Sequence, residues 1–133
     1  MNKKVLVVDD EVDFIEVIKV RLEANGCDVV TAPNGEEGIR RVREDKIDAV
    51  LLDIMMPGID GIEVLKRIRK MDEHLPVYMI TAFSTEERFK AANKFGASGF
   101  IVKTDDLDKQ IKNVLSVVDM SGRYRGKKDG RGE

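Results

Sequence analysis

The sequence predicts an α/β domain: a five-stranded parallel sheet, doubly wound as (βα)5, with helices on both faces making three α/β/α layers. Short apolar runs alternate with longer stretches of helical periodicity from the N-terminus to about Val118, which is how βα units around a parallel sheet are written. The runs are mostly apolar at successive positions, as in strands covered on both faces, and not at every second one. Helix start and stop residues fall between them.

The elements follow in order. The first run is residues 5–8 (VLVV), followed by the stripe Phe14, Ile18 and Leu22, with Gly26 placed to end that helix. The second is 29–32 (VVTA), then Asn34 and Glu37 at capping-box spacing and the stripe Ile39 and Val42. The third is 49–52 (AVLL), followed by Pro57, Gly58 and Gly61 as turn chemistry and by Leu65 and Ile68. The fourth is 77–80 (VYMI), with Ser84 and Glu87 again at capping spacing, Ala92 and Phe95 as the stripe, and Gly96 as the stop. The fifth is 100–102 (FIV), then Leu107, Ile111, Val114 and Val118 on one helical face. Residues 119–133, DMSGRYRGKKDGRGE, are rich in glycine and charge. They read as a flexible tail or a linker remnant behind a domain spanning 1–118.

The 133 residues suit one domain, and a hydrophobic fraction of 42% with 36% charged residues suits a water-soluble fold. A net charge of −2 gives no basic surface for nucleic acid. No apolar stretch reaches a membrane span, and the N-terminal apolar run is too short for a signal-peptide core, so a cytoplasmic protein is expected. Cys27 is the single cysteine, which excludes an internal disulfide or a cysteine-based metal site. It reads as a small side chain filling a strand position.

In an open parallel sheet, ligands bind beyond the carboxyl ends of the strands, where strand order reverses. The first strand ends in Asp9, Asp10 and Glu11, the third in Asp53, the fourth in Thr81 and the fifth in Lys103. Strand order 2-1-3-4-5 makes the first and third strands neighbours and gathers Asp9, Asp10 and Asp53 at one mouth. Three carboxylates there repel one another, so either a carboxyl pKa rises or a cation relieves them. With oxygen-only ligands the cation expected is Mg2+. Carboxylates, a hydroxyl and a lysine together suit phosphoryl transfer, in which Asp53 is the nucleophile, Lys103 a point charge and Thr81 a hydrogen-bond donor.

These residues carry a resemblance to the receiver domains of response regulators, covering residues from Lys4 to about Val118. The chain has an acidic pair after the first strand (VLVVDDE), an aspartate in a D-x-x-M-P loop (DIMMPGIDG), a Thr-Ala after the fourth strand (ITAF), and an aromatic three residues before a lysine after the fifth (GASGFIVK). The resemblance implies the flavodoxin-like fold and a two-component phosphorelay. Asp53 would accept the phosphoryl group from a histidine kinase or phosphotransfer protein. Asp10 would be the principal Mg2+ ligand, Asp9 its water-mediated or outer partner, and the backbone carbonyl of Met55 a third ligand. Thr81 and Phe100 look like the family's switch pair, altering the surface of the fourth helix, fifth strand and fifth helix. A downstream protein or output domain would read that surface, and a phosphorylation-dependent homodimer on it is compatible with the sequence. The domain would be a switch, catalysing only its own phosphorylation and dephosphorylation.

Where the family usually has Lys-Pro with a cis bond, this chain has Lys103-Thr104, and the reading keeps the cis form so that Lys103 can reach the site; a trans bond would free Thr104 to cap the last helix. Met55 and Phe83 occupy flanking positions, and their bulk implies slow self-dephosphorylation. His74 is expected to face solvent. Other readings weigh less. Asp9 and Asp10 as mere helix caps leave Asp53 and Lys103 unexplained. A phosphorylation-independent docking module of the same fold should lack an acid, the hydroxyl or the lysine, and none is missing. A flavodoxin-like cofactor binder needs a hydroxyl- and glycine-rich loop where this chain has DDEVD. A small magnesium-dependent phosphatase usually carries a cap segment, for which no length is spare.

Overall fold

The computed structural model describes residues 2–82 and 85–129, with side chains through Asp119. Its elements are β1 (Lys4–Val8), α1 (Val12–Ala24), β2 (Asp28–Ala32), α2 (Gly35–Glu44), β3 (Ala49–Asp53), α3 (Gly61–Met71), β4 (Val77–Thr81), α4 (Glu86–Lys94), β5 (Gly99–Val102) and α5 (Leu107–Asp129). The strands form one parallel sheet in the order β2-β1-β3-β4-β5. Each apolar run read from the sequence is a strand, extended in every case by one residue at one end.

The continuous apolar runs have a direct cause. Alternate residues of each strand feed different halves of the core. Leu6, Val8, Val50, Leu52, Val77 and Met79 pack with Ile39, Val64, Leu65, Ile68 and Ala92 from α2, α3 and α4. Val5, Val7, Ala49, Leu51, Tyr78, Ile80 and Ile101 pack with Ile18, Leu22, Ile111, Val114 and Val118 from α1 and α5. Every residue of β3 and β4 is buried. Each such aliphatic side chain stabilises the fold by about 1.5–3 kcal/mol relative to exposure. Cys27 is buried in the second half, one residue ahead of β2.

The helix ends show which sequence signals operate. Asn34 Oδ1 accepts from Glu37 N at 2.9 Å, as the capping spacing predicts. Gly26 has φ +84° and Cys27 N donates to Leu22 O, which closes α1. At α4 the cap is Thr85, whose Oγ1 accepts from Arg88 N at 3.2 Å; α4 begins at Glu86, so the hydroxyl residue just before it takes the role. The predicted cap Ser84 lies outside the described residues. Phe83 does too.

The link into α5 corrects a second expectation. No cis peptide is present among the described residues, so Lys103-Thr104 is trans. The trans form is cheaper by about 2.5–4 kcal/mol before a residue other than proline, and Lys103 reaches the carboxylates without the cis form. Thr104 does not cap α5. Asp106 does, accepting from Lys109 N at 3.1 Å. Gln110, one turn into α5, donates through Nε2 to Val102 O at 3.0 Å and accepts from Val102 N at 2.8 Å. Beyond Val118 the backbone stays helical to Asp129, where the sequence reads as a flexible tail. A helix anchored by Ile111, Val114 and Val118 propagates at one hydrogen bond per added residue.

Candidate functional site

The strands end level with one another. Val8 lies opposite both Ala32 and Leu52, Asp53 opposite Ile80, and Thr81 opposite Val102. The residues that follow therefore emerge along a single edge of the sheet. Carboxylate oxygens of Asp9, Asp10 and Asp53 lie within 4.8 Å of one another, Asp9 and Asp53 buried and Asp10 exposed.

Local backbone chemistry fixes each acid. Asp9 N donates to Ala32 O, and Asp9 Oδ1 accepts from Glu11 N at 2.8 Å. This is an Asx turn that stops the strand. The N-cap of α1 is Glu11, with no side-chain cap, so neither Asp9 nor Asp10 caps the helix at that position. Asp53 Oδ1 accepts from Met55 N at 3.1 Å, two residues along its own loop. Gly58 turns that loop at φ +80°, and Gly61 N closes it on Ile54 O at 2.8 Å. A side chain at Gly61 would collide with the carbonyl oxygen of Asp53. Glycine is needed there for close approach.

Lys103 crosses the mouth from the end of β5. Its ammonium is 2.9 Å from Asp9 Oδ2 and 3.8 Å from Asp53 Oδ2, and it also pairs with Glu11 Oε1. The ring of Phe14 lies below, its centroid 4.7 Å from Nζ. Burial alone would lower the lysine pKa, but Glu11, Asp9 and Asp53 outweigh it and raise the value. Burial, with the neighbouring charge of Asp9, pushes Asp53 up to about 7 against the pull of Lys103. The repulsion expected from the sequence thus falls on Asp53.

Thr81 is buried, and its hydroxyl has no hydrogen-bond partner among the described residues. An unsatisfied hydroxyl in the interior is destabilising by about 1–3 kcal/mol. It lines the same cavity as Asp10, Asp53, Met55 and Lys103, with a volume of about 360 Å³. The Met55 side chain is exposed. Phe100 is half-buried on the opposite side of β5 from Ile101, its ring edge-on to Phe89 with centroids 4.6 Å apart. His74 faces solvent beside Glu73. Two cavity residues, Thr85 and Arg88 of the α4 entry, have no counterpart in the sequence reading. The available signal was a cation in the first turn of a helix, where acids are favoured.

Residues 5–115 match the response regulator receiver domain family. The chain belongs to that family. It is 40% identical over 118 residues to the alkaline phosphatase synthesis transcriptional regulatory protein PhoP of Bacillus subtilis (strain 168), covering 86% of this chain and 49% of the relative. This receiver domain therefore spans about half the length of the curated relatives it matches. Among solved structures, the receiver domain of Francisella response regulator 1452 is 32% identical, with TM-score 0.82 over 90% of this chain and 99% of the other. A CheY-like receiver domain protein of Methanospirillum hungatei shares the fold with TM-score 0.88 at 23% identity, over 93% and 99%. The observed strand order is that of the CheY-like, flavodoxin-like fold. This is a receiver domain of two-component response regulators, a signalling switch.

Proposed function

We propose that the domain accepts a phosphoryl group on Asp53 from a histidine kinase or phosphotransfer protein, with Mg2+ bound beside it. The observation that carries this reading is the placing of the Asp53 carboxylate in a cavity it shares with a free buried hydroxyl and a lysine, against two further carboxylates. The all-oxygen donor set fits a hard divalent cation. Asp10 and Asp53, with the backbone carbonyl of Met55, would hold it, and Asp9 would support it from behind. When bound, Mg2+ supplies positive charge to the phosphoryl oxygens.

The chain's own groups do the rest. An ionised Asp53 oxygen attacks phosphorus as the phosphorus–nitrogen bond of phosphohistidine breaks, giving an acyl phosphate and a free imidazole. Lys103 exchanges part of its pairing with Asp9 and Glu11 for a phosphoryl oxygen. The Thr81 hydroxyl turns to donate to another, which satisfies a group otherwise without a partner. Space vacated behind Thr81 admits the Phe100 ring, which leaves Phe89 and alters the face made by α4, β5 and α5. A downstream protein, an output domain or a second copy would read that face. Water attacking phosphorus returns the carboxylate and releases phosphate, and the bulk of Met55, which lines the cavity, slows this step. A cytoplasmic setting, where such kinases present their phosphohistidine, belongs to the same reading.

The test is incubation with a small phosphodonor and Mg2+ followed by intact mass. Wild type should gain one phosphoryl group and Asp53→Asn none. An unchanged wild type, or an equal gain in the variant, overturns the assignment and favours a docking role independent of phosphorylation.

A further inference from the structure

Arg88 is a cation in the wall of the phosphoryl pocket that the reaction above does not use. It belongs to the first turn of α4, and its backbone N–H is held by the Thr85 cap, so the side chain hangs from a fixed point. The first turn of a helix carries partial positive charge, and a cation there is unfavourable unless an anion faces it. The anion at hand is a loose one. Arg88 Nη1 is 3.8 Å from Asp60 Oδ2, with both side chains a third to a half exposed, and Asp60 already spends Oδ1 on Glu63 N as the cap of α3. An exposed pair of this length contributes little. Arg88 also lines the cavity that holds Asp53 and the partnerless hydroxyl of Thr81, and it lines the adjoining cavity beside Asp60. It stands between two anion positions, one permanent and weak, the other created by phosphorylation.

We propose that Arg88 is a phosphoryl-binding residue: on phosphorylation its guanidinium leaves Asp60 for the phosphoryl oxygens on Asp53. Guanidinium suits this role because its fixed fork of donors matches a phosphoryl group, and the pairing gains where water is partly excluded. The exchange draws the start of α4 toward the loop after β3 and releases the start of α3. Asp60 acts as a competitor that weakens phosphoryl binding in the resting domain. The inference rests on Asp53 being the phosphoacceptor.

The experiment is calorimetric titration with beryllium fluoride in the presence of Mg2+, this fluoride complex standing in for the phosphoryl group. Arg88→Met should bind it about tenfold or more weakly, the range for a lost charge-assisted hydrogen bond. Asp60→Asn, which keeps a capping side chain, should bind it a few-fold more tightly, and only while Arg88 is present. Titrating the double variant separates competition through Arg88 from a general field effect, because in the Arg88→Met background the Asp60 change should do nothing. Unchanged affinity in Arg88→Met, or an Asp60→Asn gain of equal size in both backgrounds, overturns the proposal. Asp53→Asn supplies the control for the underlying reading. If wild type and Asp53→Asn bind alike, that reading fails; if Asp53→Asn alone loses binding, only the role of Arg88 fails.

Discussion

Lys103 Nζ lies 2.9 Å from Asp9 Oδ2, and Asp9 has no exposed surface at all. The lysine keeps its charge throughout the neutral range, since its raised pKa leaves the stabilising contribution intact until alkaline pH. Lys103→Met should therefore destabilise the metal-free protein at pH 8 by about 3 kcal/mol, the cost of stranding a buried partner charge. At pH 5, where Asp53 holds a proton, the loss should be smaller. Urea denaturation in a chelating buffer measures both, and equal stability to wild type at pH 8 would contradict the pairing.

The Asp53 carboxyl titrates near 7 in the folded domain against an ordinary value of 3.8. Between those values the folded state binds more protons than the unfolded chain, so metal-free stability should fall as pH rises from about 4 to 7 and level off above. Asp53→Asn should be flat over that window and more stable than wild type at pH 8, by on the order of a few kcal/mol. Denaturation curves across the pH range in chelator test it; parallel profiles for the two proteins would count against the shifted carboxyl.

Thr81 offers a case where stability and function part. Thr81→Val keeps the shape and removes a buried hydroxyl that has no partner among the described residues. The resting protein should gain about 1 kcal/mol, while phosphorylation from a small donor slows. A calorimetric melt paired with a time course of mass gain reads both, and a less stable variant would show that the hydroxyl is already satisfied.

Gly61 is where α3 begins, and a methyl group there would meet the Asp53 carbonyl oxygen and lie 2.8 Å from Ile54 Cα. Backbone atoms cannot yield as a flexible side chain does. Gly61→Ala should be destabilising by about 1–3 kcal/mol and should slow phosphoryl transfer by displacing Asp53. Wild-type kinetics in a destabilised variant would separate the loop from the site.

The ring pair Phe89 and Phe100 links α4 to β5. A double-mutant cycle with leucine at each position should give a coupling of about 0.5–1.5 kcal/mol in the resting domain. With beryllium fluoride and Mg2+ bound the coupling should vanish if, as proposed, Phe100 turns inward. A coupling that survives would remove Phe100 from the switch.

Much of this was legible in the residues because each strand is covered on both faces, which leaves continuous apolar words such as AVLL and VYMI. Asp9, Asp10 and Asp53 could be placed together because strand order alone decides which strand ends are neighbours. What escaped depends on side-chain reach and on single-residue backbone choices. Glu11 was visible at the end of β1, but its pairing with Lys103 spans the mouth from β5. Phe14 reads as a core stripe residue, yet its ring also lies under an ammonium. Thr85 and Ser84 are equivalent as caps by chemistry, so only the start of α4 chooses between them. The Lys103-Thr104 bond followed its intrinsic preference over the family's habit.

The Gln110 amide completes both the donor and the acceptor of Val102 on the last strand of the sheet. A sixth strand arriving at that point would find its backbone rungs already taken. That end of the sheet edge, beside the proposed signalling face, is thereby closed at Val102 to a strand or peptide laid alongside. A partner meeting β5 at Val102 would have side chains, not backbone, to recognise there.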